Sequence, residues 1–124
     1  ISLHSVNIYI YHGDFLQDIF MSTPGISRDN IKKAVSIILR YRHAAPTYGL
    51  NTLIAPEKID MLILPEKIDI IHMGHTHKLF IGRINGILSI NSGTWQEQTN
   101  YQKLYGIVPD PLKVPIINLK TLKS

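Results

Sequence analysis

Four residues, Ile70-Ile71-His72-Met73, run directly into Gly74-His75-Thr76-His77, and this junction constrains the chain more than any other feature. Bounded by Pro65 and Asp69 upstream and by glycine downstream, the apolar run reads as a buried strand leading into a loop. It is predicted to lie centrally in a sheet. His72 alternates with Ile71 and Met73, so it is expected to be a hydrogen-bonded core residue and not a ligand. The strand carries His75 and His77 to a sheet edge. On extended backbone an i, i+2 pair points both imidazoles the same way, about 6 to 7 Å apart, a span that suits two neighbouring metal ions. Gly74 removes a side chain where the backbone must turn close to whatever the histidines hold. The competing reading is a pair of solvated loop histidines.

The chain has 124 residues, 44% of them hydrophobic, enough for about one domain with a modest core. Ile1 in place of methionine, with a strand-like run a few residues on, reads as a piece of a longer protein. No cationic and then apolar leader precedes it, and no apolar run approaches the ~20 residues of a membrane span. The expectation is a soluble, cytoplasmic protein. With no cysteine, any metal must be held by His, Asp, Glu or Asn. A net charge of +4 favours a polyanionic partner without demanding one.

Val6 to Tyr11 alternates in the manner of a strand and stops at His12-Gly13-Asp14, so a second strand also delivers a histidine followed by glycine. Phe15 to Phe20 allows one or two helical turns before Ser22-Thr23-Pro24-Gly25 breaks them. Ser27 as N-cap, Asp29 in the first turn, and Ile31, Ala34, Val35, Ile38 and Leu39 at helical spacing predict a helix from Arg28 to about Tyr41. Lys32, Lys33, Ser36 and Arg40 fall on its solvated face. Arg42 would project into the apolar face, so the helix must end there or the guanidinium must face a cleft. Arg40, Arg42 and His43 form a basic cluster that is either a phosphate contact or a plain helix C-cap.

Ala44 to Ala55, with Pro46, Gly49 and Asn51, reads as a loop pinned through Tyr48. Pro-Glu-Lys-Ile-Asp occurs at 56–60 and again at 65–69, a local resemblance too short for a solenoid unit. Met61 to Leu64 is ambiguous between a short strand and a helical turn. Asn85-Gly86 between Leu79–Ile84 and Ile87–Ile90 predicts a two-residue hairpin. Trp95 is expected in the core. Gly106-Ile107-Val108 and Val114 to Leu119 are expected as strands around Pro109-Asp110-Pro111, the last an edge strand because of Pro115.

A strand-end His12 with Gly74-His75-x-His77 resembles the late motifs of calcineurin-like metallophosphoesterase domains. More particular residues narrow the resemblance: Tyr11-His12-Gly13, Arg42 to Gly49, Ile54-Ala55-Pro56, Asp69 to His77, Asn91 to Gln96, and Gln102 with Ile107-Val108-Pro109. From about Val6 to Leu119 the chain closely resembles the C-terminal part of the small, exonuclease subunits of the archaeal family-D DNA polymerases. The resemblance implies an α/β (α+β) fold, residues 1–124 being the second half of a two-sheet sandwich flanked by helices. It implies two divalent metal ions, typically manganese, with His12 and His75 on one and His77 on the other. It implies a large catalytic subunit and a DNA 3′ end as partners, and a place with the nucleoid.

The earlier motifs of such a domain, Asp-x-His, the metal-bridging Gly-Asp and Gly-Asn-His-Asp, do not occur here, and Gly13-Asp14 follows the late histidine and is no substitute. No catalytic group is therefore expected in this segment beyond the three ligands. Two rival readings stand beside proofreading: a scaffold subunit without activity, as in the eukaryotic relatives, and a stand-alone phosphoesterase. Retention of the three histidines disfavours the first. The stretches Arg42 to Gly49 and Asn91 to Gln96 disfavour the second.

Overall fold

A computed structural model describes residues 1–45 and 47–123; Pro46 of the predicted loop lies outside them. In chain order the elements are β1 (Ser2–Leu3), β2 (Val6–Ile10), α1 (Phe15–Ser22), a 3-10 turn (Arg28–Asn30), α2 (Ile31–Tyr41), β3 (Ile70–Met73), β4 (Phe80–Ile84), β5 (Ile87–Asn91) and α3 (Asn100–Leu104). The strands form one five-stranded mixed sheet in the order β1-β2-β3-β5-β4, so the fold is α+β with β3 at its centre. β2, β3 and β5 run parallel, while β1 and β4 close the edges antiparallel.

Alternation divides the sheet into two faces. Ile71 and Met73 of β3 and Ile84 of β4 pack beneath the helices with Leu16, Ile19, Val35 and Ile38. Ile70, Val6, Leu88 and Ile90 face the other way, where Ile117, Leu119 and Leu122 of the C-terminal segment cover them. α2 presents the predicted stripe, with Ile31, Ala34, Val35, Ile38 and Leu39 all buried and Lys32, Lys33 and Arg40 exposed. Asn85 and Gly86, with φ 51° and 83°, make the predicted hairpin turn between β4 and β5.

Several expectations are corrected. Ser27 occupies the N-cap position of the 3-10 turn, but its side chain makes no capping hydrogen bond. Trp95 is 76% exposed and Tyr48 86% exposed, so neither anchors a core. The loop is held instead by Asp18 of α1, whose carboxylate accepts from the backbone N–H groups of Asn51 (3.1 Å) and Thr52 (3.0 Å). Segments 106–108 and 114–119 are not strands; they run as irregular chain with isolated bridges at Thr94 to Pro111 and Asn118 to Lys123. Pro109, Pro111 and Pro115 have no backbone N–H to give to a ladder, which explains why local β-propensity did not prevail there. Helix α3 had no apolar period to reveal it; a capping box of Thr99 and Gln102 starts it.

Candidate metal centre

β2 and β3 are parallel neighbours, and their ladder continues past both strands: the Tyr11 N–H donates to the His72 carbonyl (3.1 Å) and the Gly74 N–H to the His12 carbonyl (3.0 Å). His12 and His75 therefore emerge together at the carboxyl ends of parallel strands, where open sheets bind ligands. Their rings meet edge to face, with His75 Nδ1 3.0 Å from His12 Nε2. Gly13, at φ 97°, lies so close that a Cβ would sit 3.3 Å from the Gly74 carbonyl oxygen and from Met73 Cβ. Gly74 itself has ordinary clearance, a Cβ there meeting only the His12 carbonyl at 3.8 Å. The sharp turn is made by the histidines: His75 and His77 have φ 65° and 59°, so the pair is left-handed and not the extended H-x-H expected from the sequence.

Burial holds the His75 imidazole below its ordinary pKa, and His12 beside it acts in the same direction. A neutral ring is the form that ligates metals. His72 is also depressed by burial, and its Nε2 lies 2.5 Å from Ser92 Oγ, the hydrogen-bonded role expected of it. The loop between His75 and His77 is fastened from below: buried Asn91 on β5 donates its amide to Thr76 Oγ1 (2.8 Å) and to the Lys78 carbonyl.

His77 points elsewhere. Its Nδ1 lies 2.9 Å from the Gln102 amide nitrogen, and its carbonyl accepts from the Asp110 N–H (2.7 Å). Asp110 in turn accepts from the Leu79 N–H (3.0 Å) and pairs with Lys113 (2.6 Å), which with the Leu79 bond holds its carboxyl below the usual range. Gln102 stood in the sequence without a role of its own; the Thr99-x-x-Gln102 spacing was the signal for its cap, and nothing local signalled its contact with His77.

The basic residues at the end of α2 do not join the histidines. Arg42 ends the helix at φ 54° and its guanidinium donates to the carbonyls of Leu64 and Pro65. His43 Nδ1 accepts from the Ala45 N–H (3.0 Å) and its Nε2 faces Asp60 (2.8 Å). Arg40 is exposed. An apolar hollow of about 750 Å3, lined by Phe15, His43, Tyr48 and Met61 among others, opens beside them. A second hollow of about 770 Å3, lined by Arg28, Thr76, Lys78, Tyr101 and Tyr105, opens beside the histidine loop.

Among the described residues, no three His, Asp or Glu side chains converge as a metal cage. The donor set nevertheless fits part of one. His75 Nδ1 and His12 Nε2 stand at hydrogen-bond distance, 3.0 Å, which is also the spacing of adjacent corners of an octahedron about 2.1 Å from its cation.

No protein-family profile matches the chain. It is 40% identical over 96% of its length to the DNA polymerase II small subunit of Thermoplasma acidophilum, of which it spans 24%. It is 38% identical over 99% of its length to that of Pyrococcus furiosus, spanning 20% of it, and 39% identical over 99% to that of Methanothermobacter thermautotrophicus, spanning 26%. The chain thus spans between a fifth and about a quarter of the length of these relatives.

Proposed function

We propose that this chain is a segment of the small subunit of an archaeal DNA polymerase, and that His12, His75 and His77 belong to a dinuclear phosphodiesterase centre performing 3′ to 5′ hydrolysis. The observation that carries the metal centre is the convergence of His12 and His75 from two parallel strands, 63 residues apart in sequence, onto facing nitrogens 3.0 Å apart. Similarity over nearly the whole chain to named polymerase small subunits supports the polymerase setting.

Two divalent cations, typically manganese, supply activation of water and stabilisation of the departing 3′ oxygen when bound. This chain's part is to hold them from one side: His12 with His75, and His77 separately. Hard cations prefer oxygen ligands, so the carboxylates of the centre come from outside these residues. Arg28 and Lys78 in the adjoining hollow offset phosphate charge, and the Tyr101 and Tyr105 rings, with centroids 4.6 Å apart, offer a face on which a terminal base stacks. The partners in this reading are a large catalytic subunit and the 3′ end of DNA, in the cytoplasm with the nucleoid. No helix among the described residues is long and apolar enough to cross a membrane.

The test uses the full-length subunit with its polymerase partner. His75→Ala, and likewise His12→Ala, removes an imidazole and should abolish manganese-dependent release of nucleotides from a labelled 3′ end by orders of magnitude. Complex formation should persist, because the strands and the hairpin are untouched. Exonuclease activity surviving the loss of each histidine in turn would hand the case to the scaffold reading.

A further inference from the structure

We propose that Gln102 is a positioning residue for His77, and that its amide decides which imidazole nitrogen bears the proton. The inference rests on the metal-centre reading for its consequence, but its geometry stands apart from it.

Gln102 is only 8% exposed, so each end of its amide needs a partner. The capping box fixes its orientation. Gln102 Oε1 accepts from the Thr99 N–H (2.9 Å), while the Gln102 N–H donates to Thr99 Oγ1 (3.2 Å). Turning the amide over would set its NH2 against the Thr99 N–H, donor facing donor. The amide nitrogen is thereby directed at His77 Nδ1, 2.9 Å away. An amide nitrogen only donates, so Nδ1 must accept. The neutral His77 ring then carries its single proton on Nε2.

This has a chemical consequence. In this state Nε2 presents an N–H suited to an anionic oxygen, whereas a nitrogen that ligates metal presents a lone pair and leaves its other N–H to an acceptor oxygen. Gln102 therefore holds His77 in the donor form, and ligation through Nε2 requires the amide to turn over at the expense of the Thr99 bond. Helix α3 is coupled in this way to the histidine that follows β3.

The decisive variant is Gln102→Glu. A carboxylate accepts from the Thr99 N–H, preserving the capping box, and its second oxygen accepts from Nδ1–H, moving the ring proton and freeing the Nε2 lone pair. In the full-length polypeptide with 15N-labelled histidine, wild-type His77 should show Nδ1 as the unprotonated nitrogen, and Gln102→Glu should show Nδ1 protonated, with Nε2 bare once the pH is high enough to keep the ring neutral beside the new carboxylate. Gln102→Met, of similar volume, should leave the two tautomers mixed. An unchanged His77 signal in both variants, with the fold intact by melting, overturns the proposal. Manganese affinity, measured by calorimetry, gives the second arm. Gln102→Glu should bind manganese about tenfold more tightly, in line with the usual weight of such partners. A moved proton with unchanged manganese affinity supports the positioning role and counts instead against His77 as a ligand.

Discussion

His75 and His77 adopt φ 65° and 59°, a region that L residues with a Cβ enter at a cost of about 1–2 kcal/mol. Such strain persists only where the surroundings impose it, here the Asn91 amide beneath Thr76 and the Asp110 N–H on the His77 carbonyl. Because the strain belongs to the backbone, two substitutions of the same histidine should differ. His75→Gly should be more stable than His75→Ala by about 1 kcal/mol in denaturant titrations of the full-length subunit, though both lose the imidazole. Equal stabilities would mean that residue 75 is not left-handed. The sequence singled out His75 and His77 and the glycine that precedes them. It did not show that the histidines themselves make the turn, since nothing beside them in the chain marks left-handed backbone as Gly86 does after Asn85.

At the scale of elements, α1 does more than cover the sheet. Asp18, 1% exposed, is the acceptor on which residues 51 and 52 of the long loop hang. Burial pushes its carboxyl up, but the hydrogen bonds from Thr52 and Asn51 outweigh that and hold it below the ordinary value. Its contribution is therefore complete above the unfolded carboxylate pKa of about 3.9 and is lost as pH falls through the lower folded value. Asp18→Asn should cost about 1–3 kcal/mol at neutral pH, since one amide end faces a backbone N–H. It should also flatten the acid limb of the stability curve. An acid limb that matches wild type would show that another carboxylate governs it. Asp18 escaped sequence reading because a buried acid at a helical position looks like any polar surface residue until the loop folds over it.

The whole molecule leaves much apolar surface uncovered: Leu53 is 92% exposed, Ile116 82% and Trp95 76%. One sheet with a single short segment over its second face buries a limited core. Expressed alone, residues 1–124 should melt at low temperature with weak cooperativity and associate through these patches. They should also release almost no nucleotide from a 3′ end in manganese, because three imidazoles alone do not hold two hard cations. A sharp, high-temperature melt of a monomeric segment, or robust nuclease activity from it, would contradict this account.

Periodicity and turn chemistry are local, and what depends on them was legible: β2, β3, α2 and the Asn85-Gly86 hairpin stand where alternation, helical spacing and the left-handed turn placed them. The histidines were legible too, because glycine and a strand end confine where they emerge. The pairing of His12 with His75, the turn of His77 towards Gln102, the capture of residues 51 and 52 by Asp18 and the exposure of Trp95 were decided only in three dimensions. Each depends on which strand lies beside which and on what covers the sheet. Those contacts join residues far apart in the chain, and their free energy comes from burial and hydrogen bonding that no local window contains.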